Sequence, residues 1–525
     1  MKINAFERFL SPVTKLKPST IFWMAIITMA FIYNFNKVMF YRPSGIHQWR
    51  NCVSAGYAQN FYHGADFFQP KTEAFVTDDL NSNVLFLEAP ILYYAVGILY
   101  KTFGYHEFLY RLLNTLIGFI GMFYLFKAAN HYLKNTLFAL TLPVILFTST
   151  VYIFYMHGFM TDATGIAVAL IALYFFYRFY DTKKHIFLAL TMFFFMIAGL
   201  LKIQSLYAYF ALGAVFITEW LFNFNFGKNN EQLFNRKWLS LGLFISALAV
   251  IAAWYYFATE YHAVHKSFIN STRISSVIWK LDDQLRKEIW DEFVIRFKHR
   301  YFHSQSFIWF TLLVFIHNIV FFKKHNRLLN AMVILTFVQI ILFNLLFFES
   351  IGRCDYYNIN SFIFFILVYF NLFLYLKNRF PKLYHSKYFA VFIIAANLYL
   401  LWSGQKGQSN KYKDWHYIDS KIILDKCGQI TPYLRQLGIN REDKVYFTPD
   451  QSQNNSLYLM DQLGNTDIGL GGTFNEKVEF LKKRELKYIM VADEKLLEDY
   501  KKQSIYLNDS NEIGVFRDVH IFKVK

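Results

Sequence analysis

The ionisable residues of this chain that could do chemistry stand at the ends of long apolar runs. His47-Gln48-Trp49-Arg50 follows the first run, Glu88-Ala89-Pro90 comes later in the same polar segment, and Arg111 stands near the start of the next run. Asp162 opens a further run, Lys202 ends another, and Arg353-Cys354-Asp355-Tyr356-Tyr357 precedes a late one. Such a set can take a proton from a hydroxyl and stabilise an anionic leaving group. Asp162 and His47 are equal candidates for the base, with Glu88 beside them: a carboxylate gains basicity when desolvated, and an imidazole is already near neutrality. Lys202, Arg50, Arg111 and Arg353 are candidates for binding a phosphate, the arginines through a planar fork. Gln48, Trp49, Asp355, Tyr356 and Tyr357 are candidates for contacting a substrate.

Each residue also has a plain structural reading. Asp162 can cap a helix, Glu88 can answer a helix dipole, and Lys202 can snorkel to the interface. His47, the arginines and the Asp355-Tyr356-Tyr357 triplet can anchor the chain at the membrane surface. No dense carboxylate cluster requires a metal, and no cofactor is required. If a divalent cation binds, Glu88 and Asp162 are its natural oxygen ligands.

The elements that must position these groups are membrane helices. The 525 residues are 55% hydrophobic and 21% aromatic, more than a soluble domain carries. The net charge of +17 falls in short clusters at the ends of runs, which points to membrane orientation and away from nucleic acid. Cys52, Cys354 and Cys427 have no metal-binding or disulfide-framework spacing.

A span takes roughly 20 apolar residues. The first run, Ile21 to Phe40, reads as an uncleaved span, and others begin near Leu109, Leu137, Gly165, His185, Gln204, Leu239, Phe307, Leu328, Ser361 and Tyr388, about eleven in all. Lys and Arg mark every second junction: Lys127 and Lys134; Arg178, Lys183 and Lys184; Lys228, Arg236 and Lys237; Lys323, Lys324 and Arg327; Lys377, Arg379 and Lys382. Short basic loops stay cytoplasmic, so the candidate chemistry belongs to the outer face. The expected fold is therefore an all-α polytopic membrane domain over residues 1–403, with a small soluble α/β domain over 404–525. The first outer loop covers 41–107 and a second long one 259–305. Trp49, Val53, Tyr57 and Phe61 predict an amphipathic helix on the bilayer surface, and Ala89 to Phe103, too short for a span, an interfacial or re-entrant helix. Ile278, Leu281, Leu285, Ile289 and Phe293 predict another interfacial helix. In the tail, strands are expected at Lys444–Phe447, Lys487–Val491 and His520–Val524, with helical pieces at Leu434–Leu437 and Lys495–Tyr500.

The chain resembles the GT-C superfamily of polytopic glycosyltransferases, in the branch of protein O-mannosyltransferases and lipid A aminoarabinose transferases. His47-Gln48 stands where many relatives have an acidic pair, followed by the basic Arg50. Glu88-Ala89-Pro90 is similar to an acid-x-proline signature, Asp162 to the acid of the second outer loop, Lys202 to a lysine at a span end, and Asp355-Tyr356-Tyr357 to a late-loop motif. The resemblance implies a GT-C-like fold of about 11 transmembrane helices with interfacial helices, in a bacterial inner membrane, with the active site and C-terminal domain on the periplasmic side. It implies sugar transfer from a polyprenyl-phosphate-linked donor to a glycan, lipid or protein acceptor. Gln48 and Val53 depart from acids often found in relatives, which keeps open a non-catalytic envelope assembly protein; a transporter of lipid-linked glycans is a separate alternative. The absence of an internal repeat, and of ionisable residues near mid-span, disfavours transport.

Overall fold

The computed structural model describes residues 16–76, 87–265, 277–413 and 418–524. Each apolar run forms a helix: α1 (Pro18–Ile32), then, after α2 (Gln48–Tyr62) and α3 (Ile91–Phe103) of the first loop, α4 (Glu107–Leu133), α5 (Thr136–Phe147) with its short continuation α6 (Thr150–Met156), α7 (Asp162–Thr182) and α8 (His185–Leu201). The bundle continues through α9 (Tyr207–Phe222) and α10 (Lys237–Val264). After α11 (Asp283–His299) come α12 (Gln305–Val320), α13 (Arg327–Leu346), the short α14 (Phe348–Arg353), α15 (Phe362–Arg379) and α16 (Lys387–Lys413). Among the described residues seven helices are long and apolar enough to cross a membrane: α4, α7, α9, α10, α13, α15 and α16, with α9 and α15 counted together with the 3-10 turns that lead into them. Helices stand at all eleven expected positions, but α1, α5, α8 and α12 have 15, 12, 17 and 16 residues, below the roughly 20 needed to span at right angles.

Side-chain caps fix several helix starts. Asn135 accepts from the amides of Leu137 and Phe138, and Ser304 and Asn326 cap α12 and α13 in the same way, satisfying amides that an apolar surrounding would leave unpaired. Lys134 and Lys183 end α4 and α7 in the left-handed conformation, so basic residues sit where each helix turns back.

The basic junctions meet at one end of the bundle. There Asp181 pairs with Lys228 (2.6 Å) and His131 (2.8 Å), Lys183 donates to the Gln232 carbonyl (3.0 Å), and Lys377 donates to the Tyr132 carbonyl. Asp162 is at the other end of the same helix as Asp181, α7, which has 21 residues and is thus roughly 30 Å long. The alternation of basic and chemical junctions read from the sequence therefore becomes two separate ends.

α2 does not lie on the bilayer. All but Trp49 and Tyr62 of its residues are buried, because its small residues let other elements approach on every side. A Cβ on Gly56 would touch Thr72 and Asn454, and one on Gly97 of α3 would lie 2.6 Å from Phe61 Cβ. The apolar stripe is real, but it faces protein. α11 buries Ile289 with Leu281 and Phe348, and keeps Trp290 and Ile295 exposed.

The last bundle helix continues past the composition change at Ser403 to Lys413. Beyond it lie the tail's helices α17 (Ile418–Cys427), α18 (Thr431–Gln436), α19 (Asn455–Met460), α20 (Phe474–Lys482) and α21 (Glu494–Gln503). They surround a five-stranded sheet of order β2-β1-β3-β5-β4, with β1 (Lys444–Thr448), β2 (Gly464–Asn465), β3 (Leu486–Val491), β4 (Glu512–Phe516) and β5 (Val519–Lys523). β1 is parallel to β2 and β3, whereas β5 is antiparallel to β3 and β4. The three expected strands are present. β2 and β4 were not foreseen, one being two residues long and the other carrying a glycine and a register shift.

The first loop clasps this domain. Phe75 bridges to Gly464 at the sheet edge, with Val76 N donating to Gly464 O and Gly464 N to Ala74 O, both at 2.9 Å. Arg42 donates to the carbonyls of Gly428 (2.9 Å) and Leu459 (3.0 Å) and pairs with Glu107 (3.1 Å), which also accepts from Tyr458 (2.9 Å). Gly464 has φ +154°, and a Cβ there would lie 1.9 Å from Val445 O, so only glycine fits this junction. A membrane-impermeant thiol reagent should reach a cysteine placed at Lys228 and one placed at Asp509 from opposite sides of sealed vesicles; labelling of both from one side would overturn the two-ended arrangement.

Candidate active site

At the end opposite the basic junctions, four charged side chains from separate segments come together. Arg50, in the first turn of α2, pairs with Glu88, which precedes α3, and Tyr93 adds a hydrogen bond to Glu88 at 3.0 Å. Asp162, the first residue of α7, faces Lys202 at the end of α8, Nζ to Oδ1 3.0 Å. All four are buried. Apart from the Lys202 ammonium, neither oxygen of Asp162 accepts a hydrogen bond from a described residue. The carboxylate thus keeps lone pairs for another donor. The electrostatic influences link the two pairs: Glu88 is acted on by both Arg50 and Lys202.

Close packing makes this possible. A Cβ on Gly165, one turn into α7, would lie 2.2 Å from Ser205 Oγ and 3.2 Å from Lys202 Cβ. Ser205 in turn donates to Asn360 at 2.8 Å, tying the chain after Lys202 to the 3-10 turn Asp355–Ser361 that precedes α15. The rings of Tyr356 and Tyr357 lie 5.7 and 5.3 Å from Lys202 Nζ, where their π faces favour a cation.

A second cluster adjoins the first. Asp355 accepts from Tyr155 (2.7 Å) and Lys411 (3.2 Å), with His47 Nε2 at 3.7 Å. The His47 ring meets Tyr356 edge to face at 5.2 Å. Burial, with Arg296 and Lys411 nearby, outweighs Asp355 and lowers the His47 pKa to about 4, so the imidazole is neutral at pH 7. Burial alone would raise the Glu88 carboxyl, yet the charges of Arg50 and Lys202 hold it below its ordinary range. Glu88 is therefore an anion that orients Arg50, and is less suited to accept a proton.

The expected residues divide into two sets. His47, Arg50, Glu88, Asp162, Lys202, Asp355, Tyr356 and Tyr357 converge. Gln48 is buried beside them, with neither amide atom hydrogen-bonded to a described residue. Trp49, next in the helix, turns toward the C-terminal domain, where it lines a cavity with Asp450 and Asn455. Arg111 is a strut: its guanidinium donates to the carbonyls of Tyr41 (2.9 Å), His157 (2.6 Å) and Arg42 (3.2 Å) and lies over Phe159, which leaves it committed to the loop backbone. Arg353 is 67% exposed and pairs with Glu349 one turn away (2.9 Å), at the surface and outside the cluster. Spacing alone could not distinguish either arginine from a ligand.

Sequence reasoning missed Tyr93, Tyr155, Arg296 and Lys411. Lys411 had a signal: Asn397, Gly404, Gly407 and Lys411 are buried at helical spacing along α16, but the polar composition disguised them as the start of a soluble domain. Tyr93 and Tyr155 carried none, being two of 37 tyrosines. Among the described residues no three His, Cys, Asp or Glu side chains group as a metal site.

The fold is that of a membrane-type helical bundle with a small C-terminal sheet, and solved proteins share it. Residues 88–257, which contain Glu88, Asp162 and Lys202, match the model of the family described as dolichyl-phosphate-mannose-protein mannosyltransferase. The structure is similar to that of ArnT from Cupriavidus metallidurans in the apo state, with TM-score 0.58 and 12% identity over 96% of this chain and 97% of that one. ArnT bound to undecaprenyl phosphate gives TM-score 0.54 and 12% identity, over 95% and 98% of the two chains. The oligosaccharyltransferase of Archaeoglobus fulgidus in the apo form gives 0.56 and 12% identity, over 91% of this chain and 69% of that one. No curated protein matches the chain in sequence.

Two tests follow from this geometry. Lys202→Met or Asp162→Asn alone leaves a buried charge unanswered and should lower stability by roughly 3–5 kcal/mol, the double variant recovering much of the loss; thermal melts of purified protein in detergent would show non-additivity, and additive losses would refute the pairing. Between pH 6.5 and about 4 the folded state leaves His47 unprotonated while the unfolded chain binds a proton. Stability should therefore fall as the pH drops through that window, by up to about 3 kcal/mol for this group, and His47→Asn should flatten that part of the profile.

Proposed function

We propose that the protein transfers a sugar from a polyprenyl-phosphate-linked donor to a hydroxyl of an envelope acceptor, on the periplasmic side of a bacterial inner membrane. The observation that carries this reading is the buried meeting of Arg50–Glu88 with Asp162–Lys202 at the end of the bundle away from the basic junctions. A solved protein of similar fold, ArnT, holds undecaprenyl phosphate, and a donor of that chemistry suits a site with two fixed cations at a bilayer surface.

In the proposed step the acceptor oxygen attacks the anomeric carbon as its proton passes to Asp162. The bond from that carbon to the phosphate oxygen breaks, and the lipid phosphate leaves with both electrons of that bond. Lys202 and Arg50 face the developing negative charge, Arg50 held in place by Glu88. As Lys202 turns to the phosphate, Asp162 loses its counter-ion and is left able to take the proton. His47, neutral at pH 7, is the second candidate for this task, since its ring lies against Tyr356 next to the cluster.

A divalent cation would have to compete for Glu88 and Asp162 with the cations already facing them. In the proposed step side chains alone carry the charge. The assembly-protein alternative draws on the departures at Gln48 and Val53, but the intact pairing of Asp162 with Lys202 supports catalysis.

Purified protein in lipid nanodiscs, given polyprenyl-phosphate-linked sugars and an envelope extract, should release polyprenyl phosphate. Asp162→Asn should slow release roughly 10²–10⁴-fold, Lys202→Met should do so comparably, and EDTA should leave the rate unchanged. No release from any carrier-linked sugar by a folded wild-type protein would refute the reading, and loss of activity in EDTA restored by a divalent ion would refute its metal-free form.

A further inference from the structure

At the end where the basic junctions meet, a cavity of about 700 Å³ opens between the start of α1, the last turns of α4, the start of α5 and the last turns of α7. Lys127 and Lys134 on the α4 side and Arg178 on α7 line it, and all three are exposed. Among the described residues none of the three has a carboxylate at ion-pair distance: Asp181, which also lines the cavity, is answered by Lys228 (2.6 Å) and His131 (2.8 Å). The contacts of Lys127 and Arg178 are with rings. Lys127 Nζ lies 4.9 Å from the centre of Tyr174 and 5.8 Å from that of Phe123, and the Arg178 guanidinium 5.2 Å from that of Phe187. Residues 1–15, outside the described residues, carry Lys2, Arg8 and Lys15 against Glu7, so the segment that leads into α1 brings no surplus of acid.

The cavity is graded along the bundle. Phe123 and Tyr174 line it four residues before Lys127 and Arg178 on the same helices, which sets them about 6 Å deeper, and Lys134 stands about two turns farther out than Lys127. An anion held by the cations therefore has aromatic rings beneath it. That is the order of groups in a bilayer lipid, with charge at the surface and glycerol and chains below, whereas a free phosphate would use the cations and leave the rings idle. The volume lies within the ~300–1,000 Å³ of small-molecule pockets, and basic pockets between membrane helices on the face of the positive loops are places where anionic headgroups bind.

We propose that this cavity is a site for an anionic phospholipid, with its phosphate among Lys127, Lys134 and Arg178 and the start of its chains against Phe123 and Tyr174. The site is separate from the charged cluster and does not depend on the transferase reading. It gives α4 and α7 a fixed partner in the membrane at the end opposite Asp162. It also accounts for cations that stand without acids here, where the cluster at the other end pairs Arg50, Lys202 and Lys411 inside the protein.

The test is native mass spectrometry of the purified full chain in detergent, stripped of co-purifying lipid and titrated with phosphatidylglycerol or with phosphatidylcholine of the same chains. Phosphatidylglycerol should bind roughly tenfold or more tightly than phosphatidylcholine, and millimolar inorganic phosphate should not displace it. Lys127→Gln and Arg178→Gln should each weaken phosphatidylglycerol about fivefold, the effect of one cation near an anionic lipid surface, and together about 25-fold. Both positions are exposed, and a melt of each variant without lipid checks that it is folded. Lys184→Gln combined with Lys324→Gln removes two charges from the same end outside the cavity, and should change binding less than about twofold. Equal affinity for the two lipids would make the cavity a plain interfacial groove, displacement by phosphate would make it a free-anion site, and equal losses in the two double variants would reduce it to diffuse surface charge. Each of these results, or binding unmoved by Lys127→Gln and Arg178→Gln together, overturns the proposal, and none of them bears on sugar transfer, which release of polyprenyl phosphate reads separately.

Discussion

A charge buried at the end of an apolar bundle must be answered by an opposite one, and that requirement organises one end of this molecule. Desolvating an ion costs several kcal/mol even after relaxation. Arg50 is answered by Glu88, Lys202 by Asp162 and Lys411 by Asp355, and in each case the partners come from different segments. Arg50–Glu88 ties two parts of the first loop, Asp162–Lys202 ties α7 to the end of α8, and Asp355–Lys411 ties the turn before α15 to the last bundle helix. Removing a partner would strand its mate, so these segments are held to one another by a penalty as much as by an attraction.

The backbone around them is shaped to allow it. Gly165 lets the end of α8 come against α7 where a methyl group would collide with Ser205, and Gly464 lets the loop strand reach the sheet edge. The result is a cluster of charges from the bundle and the first loop, each matched by an opposite one. Balance matters for the chemistry. In the transfer we propose, a site already neutralised by its own pairs meets an incoming phosphate by redirecting a cation, and in doing so leaves a carboxylate ready to accept a proton.

Much of this was legible in the residues. Lysine and arginine clusters at alternate junctions foretold the two ends, since the cost of moving such loops across a bilayer sorts them; His131, Asp181 and Lys228 do gather at one end while Asp162 stands at the other. His47, Arg50, Glu88, Asp162, Lys202 and Asp355 were all singled out. Arg111 and Arg353 were singled out too, and they proved to be a backbone strut and a surface pair. An arginine at a span end has the same appearance in sequence whether its donors find carbonyls, a neighbouring acid or a ligand. The α2 stripe erred for a related reason: a periodic apolar face shows that something apolar covers it, without showing whether that is lipid or protein.

By itself the sequence determined the class of element, the polarity of the chain across the bundle and the short list of groups able to do chemistry, because hydrophobic length, loop charge and side-chain type are local properties. Only the tertiary structure decided who pairs with whom: that Glu88 serves Arg50, that Asp162 keeps open lone pairs beside Lys202, that Lys411 reaches Asp355 from beyond the composition change, and that Trp49 turns from the charges to the C-terminal domain. Those facts depend on distances between segments up to hundreds of residues apart, and such distances are set by packing, which no single stretch of chain contains.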